Sequence, residues 1–172
     1  MTQHDRSIFI TGAASGIGRE SARRFAAEGW RVGLADTNAQ GLAEIRGELG
    51  ERASTYEVDV RDLPVLSDAV RAFSADQDRL DALFNCAGIL TMRHFADTDP
   101  DRLKDIVDIN VIGVINGIHA ALPWLRKGRD AHIVSMSSVS ALYGIPEEAV
   151  YSASKFAVRG LTEALNIELE SD

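Results

Sequence analysis

Along the chain, short apolar runs alternate with longer stretches in which apolar residues recur every three or four positions. The runs at 7–11, 31–35, 53–58, 80–85 and 132–136 have strand length, the last reading as a short buried strand. Helical spacing is predicted over 19–28, 39–49, 63–74 and 106–125. It returns beyond Pro146, where Ala149, Val150, Ala153, Ala157, Val158, Leu161 and Leu165 share the helical period. Strands and helices in alternation predict parallel strands joined by right-handed crossovers, hence an α/β fold with a doubly wound parallel sheet. No linker-like shift divides the chain, so residues 1–172 read as a single domain.

Ligands of such sheets sit beyond the carboxyl ends of the strands. The first strand runs directly into Gly12-Ala-Ala-Ser15-Gly16-Ile17-Gly18 and then into a helix. Glycines let this backbone turn tightly and approach a pyrophosphate, whose charge the open amides and positive end of the helix stabilise. The second strand ends on Asp36, where an acidic residue would grip a ribose 2'-hydroxyl. Ser15 and Thr37 offer no cation to a 2'-phosphate, so NAD is expected in preference to NADP. Gly12, Asp36, Asp59, Ala87 and Ser138 all fall at strand ends and converge on one sheet edge.

Residues 135–155 hold the candidate chemistry. Tyr151 and Lys155 are four apart on a predicted helix and therefore share a face. An ammonium beside a phenol favours the phenolate, which suits the phenol to general acid/base work. The same spacing also fits an amphipathic helix with a packed phenol and a solvated lysine. Ser138 lies across a loop, after the fifth strand, where its hydroxyl could polarise the same substrate oxygen.

Composition narrows the function classes. A formal net charge of -8 with scattered arginines argues against a nucleic-acid partner. Cys86 is the single cysteine, which excludes an intrachain disulfide or a cysteine metal cluster, and no metal site is expected. The start Met-Thr-Gln-His-Asp-Arg has no apolar signal region, so a cytoplasmic location is expected. The apolar stretch 106–125 contains Asp108, Asn110, Asn116 and His119, which fits a long buried helix better than a membrane span.

Taken together, Thr11-Gly12-x-x-x-Gly16-x-Gly18, Asp59, Cys86-Ala87-Gly88, Asn110-Val111-Ile112-Gly113, Ser138 and Tyr151-x-x-x-Lys155 resemble the conventional short-chain dehydrogenases/reductases over essentially the whole chain. The resemblance implies a Rossmann-like fold and an NAD-dependent interconversion of a secondary alcohol and a ketone. It implies Tyr151 as acid/base, Lys155 on the nicotinamide ribose, Ser138 on the substrate oxygen, and Asn110 supporting a water that links Lys155 to solvent. It also implies that Asp59, with Val60 beside it, holds the adenine amino group, and that Ala87 and Gly88 pass close to the adenosine ribose. In that family two long helices pack against a second subunit, so the segments 106–125 and 149–169 are expected to form a homo-oligomer, with Val150, Val158, Leu161 and Leu165 leaving apolar surface for the partner.

Two departures from the family pattern stand out. Cys86 replaces the asparagine of an Asn-Ala-Gly motif, and a thiol cannot bridge backbone groups as an amide can. The strands number five, truncated after the fifth and its helix, where the doubly wound order has a sixth beside the fifth. A fragment of a longer catalytic domain is therefore expected. An NAD-dependent oxidoreductase is the expected function, the alternative being a catalytically inactive dinucleotide-binding module, and the 172-residue form itself is expected to bind the adenosine half of NAD without turnover.

Overall fold

The structure, a computed structural model, describes residues 6–128 and 130–169. Five parallel strands, β1 (Ser7–Thr11), β2 (Arg31–Asp36), β3 (Ala53–Glu57), β4 (Ala82–Asn85) and β5 (His132–Ser135), form one sheet in the order β3-β2-β1-β4-β5. β1 is central and pairs Ile8 with Val32 on one side and with Ala82 on the other. Every residue of β1 is buried, and its side chains alternate between two apolar layers. Ile8 and Ile10 join Val32, Leu34, Leu42 and Ile45 on one face, whereas Phe9 joins Leu66, Val70, Phe73 and Leu83 on the other. The sheet is therefore covered on both faces, as a parallel sheet requires.

Helices α1 (Gly16–Ala27) and α2 (Ala39–Leu49) cover the first face. α3 (Leu63–Ser74), α5 (Gly113–Leu125) and α6 (Ala149–Glu168) cover the second. Local chemistry sets where two of them start. Asn38 caps α2 by accepting from the Gly41 amide at 3.0 Å, and Asp62 caps α3 by accepting from the Val65 amide at 3.1 Å, with a proline in its first turn. α1 differs, with no side-chain cap from Ser15 and no acid in its first turn.

The long helix is not the uniform one expected over 106–125. It begins with α4 (Pro100–Val107), passes through a π-helical turn (Asp108–Ile112) and continues as α5. By length and composition alone the segment Pro100–Leu125 could cross a membrane, and half of its most apolar window is buried inside this fold. β5 also departs from expectation. Its place at the sheet edge, paired with β4 only among the described residues, is as a five-strand count implies, but its side chains are half-buried or exposed where a buried strand was expected.

Candidate active site

At the carboxyl edge of the sheet lies a groove of about 550 Å³. It takes in the loop residues Gly12, Ser15, Gly16, Ile17 and Gly18, the strand-end residues Asp36, Asp59 and Val60, and the stretch Cys86, Ala87 and Gly88. Sequence reasoning had not singled out Val58, Arg61, Ile89, Ile109 or Met136, which also line it. These are ordinary apolar or charged positions, and only their placement past the strand ends marks them.

The glycine loop is shaped by contacts that no side chain could share. Gly12 has φ +69°, and a Cβ there would lie 2.7 Å from the Ala87 Cα. A Cβ on Gly18 would lie 2.2 Å from the Gly12 carbonyl oxygen. The loop therefore folds back on the start of α1, leaving the amides and positive end of that uncapped helix toward the groove. An anion of pyrophosphate type fits this cradle. Thr11 secures the facing segment, since its Oγ1 accepts from the Cys86 amide at 3.1 Å and the Ala87 amide at 3.2 Å. That hydroxyl ties down the backbone beside Cys86, where a thiol cannot.

Two carboxylates are fixed along the groove. Asp36 accepts from the Ala14 amide at 3.0 Å and from the Asn38 amide at 2.9 Å, which pins it between the glycine loop and the entry to α2. Asp59 accepts from the Arg61 amide at 2.9 Å and from its guanidinium at 2.6 to 3.0 Å. The guanidinium holds the Asp59 carboxyl below the usual carboxylate range. Arg61 also reaches Asp105 at 2.9 Å, tying the groove to α4.

The groove leads to the second set of residues through Gly88, Ile89 and Met136. Lys155 is 3% exposed, and its Nζ donates to the Met136 carbonyl at 2.8 Å and lies 5.5 Å from the Tyr151 ring centroid. Burial pushes its pKa down, against a smaller upward effect of Cys86. Asn110 sits in the π-helical turn with no exposed surface. Its Oδ1 accepts from the Ile89 amide at 2.8 Å, and its Nδ2 donates to the Ile89 carbonyl at 3.0 Å and to Ser154 Oγ at 3.1 Å. The amide is thus a brace between the strand-end loop and α6. A Cβ on Gly88 would come within 3.2 Å of Asn110 Oδ1 and 3.7 Å of Lys155 Nζ, so the absence of a side chain there keeps that approach open. Ser138 opens a 3-10 turn (Val139–Ala141) directly after β5.

The family profile described as short chain dehydrogenase matches residues 6–172. The chain belongs to the short-chain dehydrogenases. It is 39% identical over 170 residues to the cyclopentanol dehydrogenases of Comamonas sp. (strain NCIMB 9872) and Comamonas testosteroni, covering 96% of this chain and 68% of theirs. A sulfoacetaldehyde reductase of Chromohalobacter salexigens is 37% identical over 166 residues, with 94% of this chain and 66% of the relative covered. A short-chain dehydrogenase/reductase of Burkholderia phymatum, solved in complex with NAD, superposes with a TM-score of 0.91 at 31% identity, covering 99% of this chain and 62% of that one. The chain thus spans about two thirds of the length of the short-chain dehydrogenases it matches.

Proposed function

We propose that this short-chain dehydrogenase is an NAD-dependent oxidoreductase interconverting a secondary alcohol and a ketone. The observation that carries the reading is Lys155, a buried ammonium placed between the Met136 carbonyl and the Tyr151 ring where the groove ends. A buried cation is costly unless it works on a neighbouring charge, and here the neighbours are a phenol and the mouth of a dinucleotide-sized groove. When bound, the nicotinamide supplies or accepts the hydride. Tyr151 gives or takes the proton on the substrate oxygen, and Lys155 stabilises the charge that develops on the phenol oxygen while its free N–H donors hold the nicotinamide ribose. Ser138 directs a hydroxyl at the same substrate oxygen. Asn110 keeps α6 in register with the loop that carries Gly88, and its neighbourhood supports the water that links Lys155 to solvent.

Along the groove, Asp36 takes the adenosine ribose hydroxyls, Asp59 and Val60 the adenine, and the backbone of Cys86, Ala87 and Gly88 passes close to the same ribose. Val139, Leu142 and Tyr143 stand exposed in the segment between Ser138 and Tyr151, which favours an apolar body on the substrate. The 39% identity to cyclopentanol dehydrogenases supports a secondary alcohol of that kind. The free thiol of Cys86 suits a cytoplasmic enzyme, and α4 to α6 supply the face of a homo-oligomer.

The test is reduction of NAD with cyclopentanol, followed as absorbance, in a chain lengthened to the full span of the short-chain dehydrogenases it matches and in the Tyr151→Phe variant of that chain. The variant is expected to keep NAD affinity and to lose about two to four orders of magnitude in kcat. Near-normal turnover by the phenylalanine variant would remove Tyr151 from the chemistry.

A further inference from the structure

Beyond the four residues of the proposed site, a line of polar groups runs from Ser138 into the protein. Ser138 Oγ accepts from the Ser140 amide at 3.1 Å, which fills one of its lone pairs. Its hydroxyl lies 3.2 Å from Ser140 Oγ, and Ser140 Oγ lies 3.2 Å from Glu148 Oε2. Ser140 is buried, so water does not compete for its hydroxyl. Glu148 stands immediately before α6, three residues ahead of Tyr151.

An ionised carboxylate only accepts hydrogen bonds. The Ser140 proton therefore points to Glu148, and Ser140 can offer Ser138 nothing but a lone pair. The proton between the two serines must then be that of Ser138, and the chain runs Ser138 to Ser140 to Glu148. In this sense the hydroxyl that should face the substrate oxygen is turned inward.

We propose that Glu148 is a positioning residue that sets, through Ser140, the direction in which the Ser138 hydroxyl donates. The proposal rests on the reading of Ser138 as the donor to the substrate oxygen. With the carboxylate in place, a ketone that takes the Ser138 proton leaves Ser140 without its donor, so binding gives up one hydrogen bond. An amide at position 148 removes that conflict. Its Nε2 can donate to Ser140, Ser140 to Ser138, and Ser138 to the ketone, with every member of the chain satisfied. Such aligned chains also polarise one another in the favourable sense.

The experiment is calorimetric titration of the NADH-loaded protein with cyclopentanone, using the parent, Glu148→Gln, Ser140→Ala, the double variant and Ser138→Ala. Thermal melts confirm that each is folded. Glu148→Gln is expected to bind the ketone about two- to tenfold more tightly, the worth of one neutral hydrogen bond. The gain should vanish when Ser140→Ala is added, because the amide then has no route to Ser138. A gain of equal size in the Ser140→Ala background, or no gain at all, would overturn the proposal while leaving the site intact. Unchanged ketone affinity in Ser138→Ala would instead overturn the reading of Ser138 on which it rests.

Discussion

At the scale of single residues, the two ends of the groove are set by opposite charges. Asp36 is held by two backbone amides and cannot swing away, so a 2'-phosphate in its place would meet a fixed like charge. NAD is therefore expected to bind at least about tenfold more tightly than NADP, equivalent to about 1.4 kcal/mol, in side-by-side calorimetric titrations. Equal affinities would remove Asp36 from the ribose. Lys155 carries a penalty of the other kind. Burial lowers its folded-state pKa below 10.5, so below that lowered value the folded protein bears the cost of a desolvated charge. Between the lowered value and 10.5 the unfolded chain binds more protons than the folded one, and stability rises with pH. Relative to Lys155→Met, the parent is thus expected to gain stability as pH rises toward 10.5, read from urea midpoints at each pH. A difference that stays flat would mean that the ammonium is well solvated. The residues that bear these charges were legible in the sequence because strand ends and helical spacing place them. Ser140 and Glu148 were not, since their eight-residue separation matches no repeat of a helix or strand and is closed only by the turn after β5.

At the scale of elements, the alternating pattern located all five strands, because covering a parallel sheet on both faces forces long apolar runs into the chain. Two features escaped it. The π-helical turn has no compositional signature, since one extra residue in a helical turn leaves apolar spacing nearly unchanged, yet it is where Asn110 sits. The coupling of α1 to α2 was equally silent, being made by exposed charges. Arg19 and Arg23 on α1 both reach Glu48 on α2, at 2.7 Å each. These guanidinium hydrogen bonds hold the Glu48 carboxyl well down, to about 2. A carboxylate with a lowered folded-state pKa contributes stability that is present above its unfolded value of about 4.5 and lost as pH falls through about 2. Glu48 is exposed, so the effect should be small and weakened by salt. Glu48→Gln is expected to flatten the acid limb of the stability curve between about pH 4.5 and 2, measured as urea midpoints at low ionic strength. An acid limb identical to that of the parent would show that the network forms without stabilising the helix pair.

At the scale of the whole molecule, the question is which side of α6 remains for a partner. Of Val150, Val158, Leu161 and Leu165, some of which were expected to be left for a second subunit, Val158 is buried in the core, Leu161 and Leu165 pack against it half-buried, and Val150 is half-buried. Hydropathy marks Val and Leu, which fill the core here, and passes over the Ala and Gly of the outer face. The outward face of α6 instead carries Ala153, Phe156, Ala157, Gly160, Ala164 and Ile167, all exposed and all at helical spacing. A Cβ built on Gly160 meets nothing within 4 Å, and Phe156 is 43% exposed. Val107 on α4 and Ile112 in the π-helical turn are similarly exposed, at 39% and 41%. Small residues let two helices approach closely, and an apolar stripe of this length is unusual on a surface that water alone must cover. Tyr151 and Lys155 lie on the same helix, so a partner clamped on its outer face would hold the proposed acid/base pair from behind. A two-fold homo-oligomer is therefore expected in light scattering coupled to size exclusion at tens of micromolar, a working concentration for interfaces of ordinary affinity. Gly160→Arg should give a folded monomer whose melting temperature no longer depends on protein concentration. A parent that is strictly monomeric, or a Gly160→Arg variant with unchanged oligomeric mass, would place the interface elsewhere or dismiss it.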